Sequence, residues 1–119
     1  MLSNLQGASA VTLLAAGEAA DTAAATGTAV DISAYEGPIA IVQSVTSVGT
    51  NIAGAVETGD ASNGSDAAAV ATFTTATEAG TQITVVDANK CGKYLRYKGT
   101  ITGAACTLGV VMIGKQKYV

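Results

Sequence analysis

The sequence predicts an all-β protein: an antiparallel β-sandwich, or jelly-roll-like fold, of about seven or eight short strands. Three observations predict it. Short apolar runs recur at a spacing of ~8–12 residues and are punctuated by Gly, Asn, Asp and Ser. The clearest runs alternate with period two, as a half-buried strand does. The 119 residues hold 14 glycines and 13% charged residues against 49% hydrophobic ones, so intrinsic disorder, which needs low hydrophobicity and high net charge, is excluded. The length allows one domain and no second core. Much of the apolar fraction is alanine, which buries little area. Such a core is thin, and the chain is expected to lean on subunit contacts for stability.

Taken in order, residues 1–9 read as a flexible arm carrying the isolated leucines Leu2 and Leu5, and residues 10–119 as the sandwich domain. Residues 10–16 (AVTLLAA) form a first strand, and residues 17–28 (GEAADTAAATGT) read as a loop of small residues. Residues 30–32 lead to Tyr35, placed as a packing residue at a sandwich corner, and to the turn signal Gly37-Pro38. Residues 38–48 are the strongest strand, with Ile39, Ile41, Gln43 and Val45 on one face and Ala40, Val42, Ser44 and Thr46 on the other. A turn at 49–51 precedes a weaker strand over 52–58. Residues 59–66 (GDASNGSD) form a polar loop in which Asn63-Gly64 suits positive φ. Its acids miss the calcium-loop pattern, which ends on a bidentate Glu, so a solvated loop tip is expected.

Residues 70–75 form a short strand or turn, 81–86 a strand, and 87–89 a turn. Residues 93–102 alternate cleanly: Leu95, Tyr97, Gly99 and Ile101 on one face, Tyr94, Arg96, Lys98 and Thr100 on the other. Gly103-Ala104 then reads as a tight hairpin turn into residues 106–113 (CTLGVVMI). That continuous apolar run is expected of a strand covered on both faces. In the hairpin, Cys106 lies opposite about Ile101, which places Cys91 roughly 33 Å away at strand rise. A disulfide needs Cα atoms within about 7 Å, so two free thiols are expected, with Cys106 buried.

Charge is divided along the chain. All nine carboxylates lie in residues 1–89 and all six bases in residues 90–119, for a net charge of −3. Either a basic C-terminal strand pair folds back on an acidic body, or the subunit is dipolar and its ends attract neighbouring copies or a charged scaffold. Six bases without clustered aromatics make a poor phosphate footprint, so nucleic acid is not an expected partner. No apolar run approaches the ~20 residues of a spanning helix, and no basic residue precedes the N-terminal apolar stretch as a secretory leader requires. No membrane partner, and synthesis in the cytoplasm without export, are expected.

Chemistry is poorly provided for. With no histidine, the chain lacks the commonest general base and metal ligand. Two cysteines cannot make a zinc site alone. No GxSxG elbow, phosphate loop or dinucleotide fingerprint occurs. Paired carboxylates could meet in space, yet the acids lie in turns, where solvation and capping are their usual roles. No catalytic residue, cofactor or metal is therefore expected, and an enzyme is the least favoured reading. The exposed feature that stands out is Tyr94-Arg96-Lys98, because Tyr and Arg are enriched at interface hot spots.

Several segments together resemble the small structural proteins of tailed bacteriophage virions. They are VDISAYEGPIAIVQSV (30–45), ETGDASNGSD (57–66), TQITVVD (81–87) and KYLRYKGTITGAACTLGVVMIG (93–114). The order runs from a D-x-S-x-Y-E-G lead-in, through an acidic polar loop, to a Y-x-R-Y strand and a final apolar strand. The resemblance covers most of the chain from about residue 28 and implies a β-sandwich that decorates or cements a capsid. The implied partners are the major capsid protein and further copies of the chain as a dimer or trimer, and the implied location is the capsid surface. The candidate contacts are Leu2, Leu5, Tyr94, Arg96 and Lys98. The rival readings are a head–tail joining or tail protein, and a β-sandwich carbohydrate-binding module. The latter is poorly served by four tyrosines and no tryptophan.

Overall fold

Alternating apolar residues close two sheets over one core. The structure, a computed structural model, describes residues 8–19 and 24–116. Nine strands form among them: β1 (Ala8–Ala19), β2 (Ala24–Thr26), β3 (Val30–Asp31), β4 (Tyr35–Ser47), β5 (Asn51–Gly59), β6 (Ala68–Thr72), β7 (Gly80–Asp87), β8 (Tyr94–Thr102) and β9 (Cys106–Gln116). The first sheet has the order β1-β9-β4-β7 and the second β2-β8-β5-β6, with β3 beside β8. All pairs are antiparallel. With the two-residue β3 set aside, every connection except β5–β6 crosses between sheets. This is the jelly-roll arrangement, and the all-β sandwich expected from the sequence is what the chain adopts.

The faces of the two best strands match their alternation. Ile39, Ile41, Gln43 and Val45 of β4 and Leu95, Tyr97 and Ile101 of β8 are buried in the core. They meet Leu108, Val110 and Met112 of β9, Leu13 of β1, and Ile52 and Val56 of β5. Tyr35 starts β4, is buried, and donates its hydroxyl to Ser9 Oγ at 3.2 Å.

Four expectations are corrected. Residues 17–28 are not all loop: β1 continues to Ala19, and Ala24–Thr26 pairs with β8. Runs of Ala and Thr carry no alternation signal, and it is the neighbouring strands that recruit them. Second, β8 and β9 are not a hairpin. The Gly103 corner carries the chain from one sheet to the other, and Cys106 pairs with Ala19. A tight glycine turn suits an arch between sheets as well as a hairpin. Gly103 has φ +93, and a Cβ there would lie 1.9 Å from Thr50 Oγ1 of the β4–β5 corner. Both cysteines are free and Cys106 is buried, as expected, although the hairpin distance does not apply.

Third, the basic residues do not form a strand pair. β8 and β9 are central strands of different sheets, and each has a partner that carries an acid. Arg96 stands opposite Glu57 and Lys115 opposite Glu36. Fourth, among the described residues β9 is covered on one face only. Its inward residues are buried, while Val111 is half-buried and Ile113 is 41% exposed on the outer side.

A strong polar contact joins the sheets inside the core. Tyr97 of β8 donates its hydroxyl to Gln43 Oε1 of β4 at 2.5 Å, and both residues are 0% exposed. Gly54 of β5 makes room for them. A Cβ at Gly54 would lie 2.2 Å from Gln43 Oε1 and 2.5 Å from Tyr97 Oη. The other amide atom, Gln43 Nε2, is buried without a hydrogen-bond partner. Burial drives the Tyr97 phenol well above its ordinary pKa, with the Cys106 thiol adding to the rise, so it stays a donor.

This pair generates a double-mutant cycle. Gln43→Leu and Tyr97→Phe each leave a buried polar group unpaired and are expected to cost about 1–3 kcal/mol. The double variant removes both groups, and its cost is expected to fall clearly below the sum of the two. Urea unfolding of the four proteins reads this, and simple additivity would mean that the hydrogen bond does not couple the sheets.

Candidate interaction surfaces

The outer face of the β2-β8-β5-β6 sheet holds the Tyr94-Arg96-Lys98 stripe. The three side chains share this face because the alternate positions of β8 fill the core. Their environments differ. Arg96 is partly buried and its Nε donates to Glu57 Oε1 at 2.8 Å across the β5–β8 register. The polar loop covers it: a Cβ at Gly64, which has φ +74, would lie 2.2 Å from Arg96 Nη1. Tyr94 is half-buried beside the same loop, with Lys93 Nζ 5.6 Å from its ring centre. Lys98 is exposed, between Ala55 and Thr26. Leu2 and Leu5 lie outside the described residues. β1 begins at Ala8, so Ala8 and Ser9 pair with Lys115 and Gly114.

The polar loop is held by its own carboxylates. Asp66 accepts from the backbone N–H of Asp60 at 2.9 Å and of Ala61 at 3.1 Å. These bonds hold its carboxyl below the usual range. Asp60 accepts from Lys93 N, and Asn63 from Ser65 N. Opposite Tyr94 at the start of β8, Asp31 is lowered by hydrogen bonds from the Ser33 hydroxyl and N–H. The acids thus cap turns. Among the described residues no three of His, Cys, Asp and Glu gather as metal ligands would. Burial raises the Cys91 thiol, which opposes the thiolate form that a nucleophile needs.

The second surface is the outer face of the β1-β9-β4-β7 sheet. Pairing sets Ala10, Ile113, Ala40 and Val85 in one row, and Thr12, Val111, Val42 and Ile83 in the next. Leu14 and Ala16 of β1 and Ser44 and Thr46 of β4 continue it around a shallow depression of about 310 Å³ floored by Gly109. These rows contain no charge. Ile83 is 65% exposed and Val85 59%. The sequence-level choice of contacts missed this surface, although its signal was present. The run over 106–113 is apolar on both faces, and within the described residues only one face is covered. No described helix is long and apolar enough to cross a membrane.

No family model matches the chain, and no curated protein matches it. Solved structures do share its fold. XepA, a PBSX exported protein, superposes with TM-score 0.70 at 12% identity over 93% of this chain, which spans 38% of XepA. The disulfide-linked pili of Bacillus endospore appendages match with TM-score 0.57 at 17% identity, over 92% of this chain and 89% of theirs. T=1 particles derived from infectious bursal virus match with TM-score 0.56 at 13% identity, over 92% of this chain and 31% of theirs. At these identities the likeness defines the class of protein as a jelly-roll β-sandwich.

Two outcomes follow from the geometry. Glu57→Gln deprives a partly buried guanidinium of its carboxylate, and is expected to cost about 1.5–3 kcal/mol in urea unfolding. A cost near zero would mean that Arg96 is held by water and available to a partner. Asp31 and Asp66 have depressed folded-state pKa values, so their contribution is present above the unfolded value of about 4 and is lost as pH falls through the folded value. Stability is therefore expected to be level above about pH 5 and to decline below about pH 4. Thermal unfolding across that range, with Asp66→Asn as the variant that flattens the decline, checks it.

Proposed function

We propose that the chain is a non-enzymatic structural protein of a bacteriophage virion, bound to the outside of the capsid and cementing neighbouring major capsid subunits. The observation that carries this reading is the band of uncharged, largely apolar rows across the middle of the outer face of the β1-β9-β4-β7 sheet. Nothing else in the described chain covers it, and patches of this kind mark association surfaces. Its work would be mechanical: many copies, each holding weakly, add through multivalency. The poverty of chemistry among the side chains agrees, as does the phage-like pattern of residues 30–45, 57–66, 81–87 and 93–114. The same sandwich also serves in a viral particle and in a pilus.

The apolar face is the principal capsid contact in this reading. Leu2 and Leu5 and the Tyr94-Arg96-Lys98 stripe supply further contacts. A second reading, a subunit of a tail or other filament, is favoured by the pilus likeness. A disulfide-linked assembly of that kind is poorly served by these cysteines. Cys106 is fully buried, and burial raises the Cys91 thiol, which disfavours its thiolate.

Undecorated phage heads incubated with the protein, followed by counting bound copies, test the reading. Saturable binding in a fixed ratio to the major capsid protein is expected. Ile113→Lys, at an exposed position of the apolar face, is expected to weaken attachment by about tenfold or more, since it loses a buried aliphatic contact worth about 1.5–3 kcal/mol. Removal of residues 1–8 is expected to weaken it without unfolding the domain. Failure to bind heads, together with binding to tails, would replace the capsid reading by the filament one.

A further inference from the structure

We propose that β7 is the seam at which a second copy of this chain pairs, edge to edge and antiparallel, about a twofold axis. Among the described residues β7 ends its sheet, so the backbone N–H and C=O groups on its side away from β4 have no described strand beside them. Such an edge is a template for another strand unless the protein blunts it. The other edges are blunted. β1 breaks register with β9 at two places, β2 is three residues long, and β6 is five residues long with a register break of its own. β7 has none of these defences. Its register with β4 runs unbroken from Pro38↔Asp87 to Val45↔Gly80. It holds no proline and no base, and its one charge, Asp87, is the last residue.

The occupant is a second copy because this edge complements itself. In an antiparallel pair, opposite residues must share a face, so only registers that keep outward positions opposite outward positions are allowed. Among these, the register centred on Thr84 sets Ile83 against Val85 of the partner twice and leaves Asp87 opposite Thr81. Centring on Ile83 would leave Val85 opposite Thr81, and centring on Val85 would set Ile83 against Asp87. Ile83 and Val85, the most exposed large apolar side chains described, then cover one another. The two apolar outer faces continue as one surface on the same side of an eight-stranded sheet. The pairing goes beyond the virion reading and does not rest on it.

The test is sedimentation equilibrium of the free full-length chain at tens of micromolar, with no phage heads present. A dimer is expected. Ile83→Lys with Val85→Lys sets like charges across the seam, and is expected to weaken self-association by at least about tenfold. Ile83→Lys with Val85→Glu sets Lys against Glu twice in the Thr84-centred register, and is expected to restore the dimer. Circular dichroism verifies that both variants fold. A wild-type monomer or trimer, or a folded double-lysine variant that still dimerises, would overturn the seam. A folded Lys/Glu variant that stays monomeric would overturn the register.

Discussion

The fold depends on keeping two thin sheets in contact with few large side chains. The Tyr97–Gln43 hydrogen bond is where that constraint is met. It spans the sandwich from β8 to β4 in a core filled mostly by aliphatic residues, and Gly54 makes the space for it. A tyrosine buried this deeply brings both a large apolar surface and a hydroxyl that must be satisfied. Leucine at position 97 would fill less of the gap, and leucine at position 43 would orphan the hydroxyl. The contact also restricts how the sheets can slide, because only one register brings the two groups together. Phe73 extends the cluster with its ring 6.1 Å from that of Tyr97.

Charge plays a different part. The acids and bases that lie far apart along the chain are interleaved in space, since the basic strands β8 and β9 are central in their sheets. Arg96 and Glu57 neutralise each other under the polar loop, and the loop acids spend their acceptors on backbone N–H groups. The middle rows of one broad face are left without charge, with Glu36, Lys115 and Asp87 at its margin. An apolar outer face is costly for a solitary protein, because its apolar area stays in contact with water. It is economical for a subunit that meets neighbours on a repeating surface. The assembly reading therefore follows from where charge is missing.

Some of this was legible in the chain. The faces of β4 and β8 follow from alternation alone, because burial on one side imposes period two. The buried Gln43 was even placed on the correct face, among Ile39, Ile41 and Val45. The polar loop and its positive-φ glycine were legible for the same local reason. The candidate contacts were legible only in part. Tyr94, Arg96 and Lys98 do share an outer face, yet Arg96 is tied to Glu57 from a strand 39 residues away, which no local pattern could reveal. The apolar outer face was half-visible in the run over 106–113. Its second uncovered side was taken for a second buried one, because apolar composition reports that a face avoids water and not what covers it.

By itself the sequence determined the class, an all-β sandwich, and the inward faces of β4 and β8. Those properties are local, and period two and turn residues are enough to establish them. Only the tertiary structure decided that the Gly103 corner is an arch between sheets, that β9 lies between β1 and β4, and that among the described residues β7 ends its sheet with a bare edge. Strand partners are chosen by contacts between residues distant along the chain, and a short glycine turn serves a hairpin and an arch equally well.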